Sequence, residues 1–285
     1  MPVYNYTTLD DPSQVGLTTQ ASGINDAGQI VGTFSDSGGS HGFLLSGGKY
    51  TTLDDPSASK GTFVNGINAS GQIVGYYLDG TGSHGFLLSG GANTTLDDSS
   101  ATAGTVAYGI NGTANVVGYY QNASGFHGFL LSGGAYTTLD DPSATFGTFA
   151  FGINDGGQIV GKYQTASGTH SFLLSGGIYT SLDVPGSVLT TATGINDAGQ
   201  IVGYYQNASG FHGFLLSGGA YTTLDDPSAT FGTFAFGIND GGQIVGEYSD
   251  GSGIHGFLLT ITPTPPPPAG TTADMILRHG ADGQY

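Results

Sequence analysis

Six histidines recur along this chain at intervals of 42 or 43 residues: His41, His84, His127, His170, His212 and His255. Imidazole suits general acid–base work near neutral pH and is a common ligand for transition metals. Aspartate pairs keep the same interval, at Asp10-Asp11, Asp54-Asp55, Asp97-Asp98, Asp140-Asp141 and Asp225-Asp226. Adjacent carboxylates could collect calcium, or divide the acid and base roles of glycoside hydrolysis. Repetition argues against each of these chemistries. Six histidines, one per repeat, stand too far apart to converge on one ion, so each is expected to hydrogen-bond a loop of its own repeat. In Asp-Pro-Ser the second Asp fits the first position of a type I turn, its carboxylate accepting from the backbone amide two residues on. In the fifth repeat that Asp is replaced by Val184, so a shared metal role is not obligatory. Glycoside hydrolysis needs one asymmetric pair across a cleft, which equivalent pairs do not supply. The glycine-rich phrases are followed by no Gly-Lys-Ser/Thr, so they are no phosphate loop. The sequence nominates no catalytic residue, no metal site and no cofactor.

The repeating unit is about 43 residues long, and its clearest copy runs from Tyr136 to Ile178. A fixed period of this size marks a repeat architecture. Residues 148–154 alternate large and small side chains, as a strand does. Asn154-Asp155-Gly156-Gly157 is then a tight hairpin turn. Residues 158–163 form a second strand, residues 164–169 a polar loop, residues 170–175 a third strand, and residues 179–183 a fourth after the turn at Gly176-Gly177. These strands are called a, b, c and d. Ile159 and Tyr163 point to one side of strand b and Val160 to the other, so the sheet must be covered on both faces. Four-stranded units covered by their neighbours are the blades of a β-propeller.

The phase of the repeat implies closure. Tyr6-Thr7-Thr8-Leu9-Asp10 is a d strand with no a, b or c before it, and His255-Gly256-Phe257-Leu258-Leu259 is a c strand with no d after it. The expected fold is all-β: a six-bladed β-propeller of four-stranded antiparallel blades over residues 1–262, closed by pairing of the N-terminal strand with the last blade. A linear solenoid with ragged ends is the alternative. Closure removes the exposed edge that a linear array would carry. Residues 263–270 read as a Pro-rich linker, and residues 271–285, containing Ala273-Asp274-Met275-Ile276-Leu277-Arg278, as the truncated start of a further module.

Composition narrows the partners. The net charge is −17, with 21 acidic residues against Lys49, Lys60, Lys162 and Arg278. A nucleic-acid partner and an anionic membrane surface are both disfavoured. No apolar run approaches the ~18 residues of a membrane span. Cysteine is absent, which excludes disulfides, thiolate metal sites and cysteine nucleophiles. The first residues, Met1-Pro2-Val3-Tyr4-Asn5-Tyr6, have neither the basic region nor the apolar core of a secretory signal.

Phrases such as Gly194-Ile195-Asn196-Asp197-Ala198-Gly199-Gln200-Ile201-Val202-Gly203, followed by His212-Gly213-Phe214-Leu215, resemble the bacterial extracellular repeats of the HAF family. That family takes its name from a His-Ala-Phe phrase; here the middle residue is Gly in five repeats and Ser171 in one. The resemblance covers roughly residues 4 to 262. It implies a secreted or surface-exposed bacterial protein and brings no assigned activity.

Positions constant in every repeat are most simply architectural, and positions that vary are where function can sit. The b–c loops vary, from Ser35-Asp36-Ser37-Gly38-Gly39-Ser40 to Gln121-Asn122-Ala123-Ser124-Gly125-Phe126 and its copy at residues 206–211. Tyrosines adjoin them. Aromatic faces beside amides and carboxylates suit sugars. The candidate ligand residues are therefore Tyr76, Asp79, Tyr119, Asn122, Tyr204 and Asn207. The leading expectation is a non-enzymatic binding or scaffolding module for an extracellular glycan or surface polymer. A polysaccharide lyase or hydrolase with its site at one mouth of the channel is the alternative, and a structural spacer or adhesin component the third reading. The sequence does not set the oligomeric state.

Overall fold

The computed structural model describes residues 2–16 and 18–263; the expected linker beyond residue 263 and the expected module at 271–285 lie outside the described residues. The described residues form twenty-four strands and no helix. In the fourth repeat the strands are Gly147–Ile153, Ile159–Thr165, Gly168–Ser175 and Ile178–Ser181, paired in chain order and all antiparallel. The polar loop expected at 164–169 is shorter than its composition suggested. The ladder runs on to the pair Thr165–Gly168, leaving a two-residue turn with Gly168 at positive φ. Extending the ladder satisfies backbone groups that a loop would leave to water.

The strands Thr19–Ile24, Ile30–Asp36, Gly39–Ser46 and Lys49–Leu53 make the same sheet in the first repeat. The opening strand Val3–Leu9 pairs antiparallel with the last, Ile254–Thr262, from Val3–Thr262 to Leu9–Gly256. The spare d strand at the start thus completes the sheet at the end. Consecutive sheets pack face to face. Val202 of the fifth repeat shares a cluster with Ile244 and Phe257 of the sixth, and Val245 of the sixth shares one with Ala21 and Phe43 of the first.

The a strands lie side by side around a channel. At its waist stand Gly23, Gly66, Gly109, Gly152, Gly194 and Gly237. A Cβ on Gly66 would lie 2.5 Å from the Tyr108 carbonyl oxygen of the next a strand, so the strands approach this closely only because the side chain is missing. Each a–b turn adds an asparagine to a ring. The Nδ2 groups of Asn25, Asn68, Asn111, Asn154, Asn196 and Asn239 each donate to the carbonyl of the next asparagine, Asn239 returning to Asn25, at 3.0–3.1 Å.

Candidate functional site

Each a strand carries a one-residue bulge against its b strand. The register slips at Ser22, Asn65, Tyr108, Phe151, Thr193 and Phe236. A bulge adds a residue out of step with the alternation and re-aims its side chain. All six re-aimed side chains line one cavity of about 230 Å3 inside the channel, on the side of the waist where the a strands begin. The sequence that follows is constant and these positions are not, nor are those two residues before them. Gly-Ile-Asn follows every one of them, yet the residue itself is Ser, Asn, Tyr, Phe, Thr or Phe.

At the joints between repeats a b-strand residue of one repeat meets an a-strand residue of the next; of these Gln20, Lys162, Thr191 and Tyr204 line the cavity, while Tyr119, Phe149, Phe234 and Glu247 stand behind its wall. Tyr119 meets Phe149 with ring centroids 5.0 Å apart, and Tyr204 meets Phe234 at 5.1 Å. Glu247 Oε2 accepts from Gln20 Nε2 at 2.9 Å in the equivalent place. The fourth and fifth repeats set Lys162 and Thr191 at these positions. The Lys162 ammonium lies 5.0 Å from the Phe149 ring centre and 5.7 Å from that of Phe151. Every ion pair among the described residues joins a histidine to an aspartate, so this ammonium has no carboxylate partner. Thr191 is 2% exposed and lines the same cavity. Its Oγ1 has no hydrogen-bond partner within 3.5 Å among the described residues, the Tyr204 phenol being its nearest polar influence.

Burial sets the ionisation of the wall. It pushes the Lys162 amine down and the Glu247 carboxyl up, Gln20 offsetting part of the latter. It raises the Tyr76 phenol to about 12, and raises those of Tyr108 and Tyr204, the Thr191 hydroxyl moderating Tyr204. These phenols are neutral hydrogen-bonding groups at physiological pH. The mixture of aromatic faces, hydroxyls, amides and one cation can hold a small polar ring.

The six residues expected to bind ligand do not form one site. Tyr76 and Tyr204 line the channel cavity. Tyr119 stacks on Tyr108 at 5.9 Å just behind that wall. Asp79, Asn122 and Asn207 lie instead in the b–c hairpins, engaged within their own turns. Asn122 Oδ1 accepts from Ser124 N and Oγ at 2.8 and 2.6 Å, and Asn207 does the same with Ser209. Asp79 accepts from Thr81 N and Oγ1 and from Gly82 N, which holds its carboxyl down at about 2. The physical reason is alternation. Tyr119 and Tyr120 point to opposite faces of the b strand; Tyr120 is buried and stacks on His127 at 5.2 Å, while Tyr119 turns inward.

The recurring histidines and aspartates hold each repeat together. Each His Nδ1 lies 2.7–3.0 Å from the first aspartate after its d strand. In five repeats Nε2 meets a b–c hairpin hydroxyl, as Ser124 meets His127 at 2.8 Å; in the first it meets Asp36. The second aspartate is buried and accepts from the serine amide two residues on, at 2.7–2.8 Å. No group of metal-binding side chains is found among the described residues.

The channel-lining residues were missed in sequence although their signal was present, a varying position directly before the constant Gly-Ile-Asn. No family model and no curated protein sequence matches the chain. Solved structures do. A putative TolB from Agrobacterium tumefaciens superposes with a TM-score of 0.59 at 12% identity, over 93% of this chain and 100% of that one. TolB from Acinetobacter baumannii gives 0.57 at 11% identity over 81% of this chain, which spans 63% of that protein, less than two thirds of its length. The gluconolactonase XC5397 from Xanthomonas campestris gives 0.54 at 12% identity, over 90% of each chain. At these identities the likeness defines the fold alone: the chain is a protein of the β-propeller type.

Proposed function

We propose that the chain is a closed six-bladed propeller of the bacterial cell exterior that binds rather than reacts, taking a sugar-sized part of an extracellular glycan at the wide end of its channel. The HAF-type repeats support the location. The Val3–Thr262 to Leu9–Gly256 ladder and the asparagine ring support the closure. The observation that carries the binding reading is the set of bulged residues: six side chains aimed into one cavity, varied directly before a Gly-Ile-Asn that is constant. Aromatic walls take the apolar faces of a sugar ring, and Ser22, Asn65, Thr193 and the tyrosine phenols offer hydrogen bonds to its edge.

A second reading, a lyase or hydrolase acting on a polysaccharide at this mouth, draws on Lys162 and Glu247, both shifted toward their neutral forms. A glycan array probed with and without calcium tests the proposal. Calcium-independent retention of particular glycans, with no cleavage of those glycans over hours, is the expected result. Tyr204→Ala should weaken binding about three- to tenfold, the size of one aromatic contact. Cleavage of a retained glycan would transfer the site to the enzymatic reading, and retention of no glycan would overturn the binding function.

A further inference from the structure

The joint between the fourth and fifth repeats differs from its five equivalents in one respect. Its two facing positions hold polar side chains, and neither makes an ion pair or a hydrogen bond within 3.5 Å, the Tyr204 phenol only approaching Thr191. At the equivalent joint between the sixth and first repeats, the charged residue Glu247 is satisfied by Gln20 at 2.9 Å. Between the third and fourth, and between the fifth and sixth, the pairs are aromatic. At Lys162 the ammonium is carried on a half-buried side chain over the Phe149 and Phe151 rings, without a carboxylate. Opposite is Thr191, 2% exposed, its Oγ1 unpaired. Cation–π contact recovers part of the hydration an ammonium loses on burial, but neutralises no charge. Buried hydroxyls are rarely left without a partner unless something else supplies one.

We propose that this joint is an anion subsite, and that the ligand of the channel mouth is an acidic sugar, a uronic acid, whose carboxylate accepts from Lys162 Nζ and Thr191 Oγ1. This rests on the reading that the cavity takes a sugar. The charge count favours a carboxylate over a dianionic phosphate monoester. One cation matches one monovalent anion, no second Lys or Arg lines the cavity, and a chain of net charge −17 repels any excess of negative charge. The aromatic residues around the joint receive the ring, so the carboxylate and the sugar face are recognised by different parts of one wall.

The test is calorimetric titration of the full chain with galacturonate and glucuronate, each against its neutral counterpart, galactose and glucose. The uronates should bind at least tenfold tighter. Lys162→Met should abolish the ratio between each uronate and its neutral counterpart, while Lys162→Arg should retain a preference. Thr191→Val, nearly isosteric, should cost the uronates about fivefold, as one hydrogen bond does. Melting temperatures within a few degrees of the parent show that the variants fold, and Thr191→Val guards the test should Lys162→Met not. Uronates binding no better than neutral sugars, or a preference that survives Lys162→Met, would overturn the subsite and leave the sugar-binding reading standing. Binding of none of the four sugars would overturn both.

Discussion

The two ends of the channel are built from the same strands by opposite rules. Where the a–b turns meet, six asparagines repeat one hydrogen bond around the ring, and Asp155, Asp197 and Asp240 each donate a backbone amide to the next aspartate's Oδ1 at 2.7–2.9 Å. There the same asparagine does the same work in every repeat. Across the glycine waist, Ser22, Asn65, Tyr108, Phe151, Thr193 and Phe236 occupy one position with five residue types. A repeat protein can afford variation only where its stability does not depend on a shared contact, so the uniform end carries architecture and the varied end is free to carry recognition.

The largest expected effect comes from the joint that completes the uniform set. Removing residues 2–10 deletes the ladder from Val3–Thr262 to Leu9–Gly256, the buried Leu9 and the Asp10 partner of His255. It leaves the edge of Ile254–Thr262 open to other chains. Calorimetry should show loss of the single cooperative transition and light scattering should show association. A truncated chain that melts as the parent does would break the closed-ring account.

Next is the asparagine ring itself. Asn154→Ala deprives the Gln158 amide of its acceptor and the Asn196 carbonyl of one of its two donors, the Gly199 amide remaining at 3.0 Å. One amide left unpaired and one carbonyl half satisfied should cost about 2 kcal/mol in urea denaturation. Asp155→Ala, one residue on and exposed, removes a carboxylate that accepts only from Gly112 N and should cost well under about 1 kcal/mol. Equal effects would show that the asparagine is not specially placed.

The smallest effect is a pH dependence confined to the rim. Hydrogen bonds to Asp54 and Asp97 raise His41 and His84 above the ordinary 6.5. A pKa raised on folding stabilises fully below the unfolded value, and that stabilisation is lost as pH rises through the folded one. Asp79 and Asp250 are depressed to about 2, first by the Thr81 and Ser252 hydroxyls. Their contribution is present above about 3.8, the ordinary carboxylate value, and is lost as pH falls toward 2. The melting temperature should therefore be highest between these limits and decline modestly as pH rises above 6.5. His41→Gln with His84→Gln should flatten the alkaline decline, and an unchanged slope would assign it elsewhere.

Much of this was legible in the chain. The strand order, the glycine turns and the Asp-Pro-Ser turns follow from local rules, because each depends on residues within a few positions of one another. The site was legible only in part. Tyr119 and Tyr120 are both aromatic, so composition does not tell which one turns inward; the bulge and the pairing to Gly128 decide it. The acceptor of Asn154 is a backbone carbonyl 42 residues away, which no local pattern reveals. The loop amides Asn122 and Asn207 drew attention because they are polar and variable, yet local Asx turns consume them. The variation inside the a strands was equally visible, but the constant Gly-Ile-Asn beside it disguised it as core.

The measurement that tests the division of labour most directly compares two double variants against the best glycan found on the array. Tyr76→Ala with Tyr204→Ala opens the channel wall, and Asn122→Ala with Asn207→Ala removes the rim turns. Titration should show binding reduced about tenfold or more by the channel pair, two aromatic contacts being lost, and changed less than twofold by the rim pair. Undiminished binding in the channel pair, with loss in the rim pair, would place recognition on the hairpin face and contradict the account.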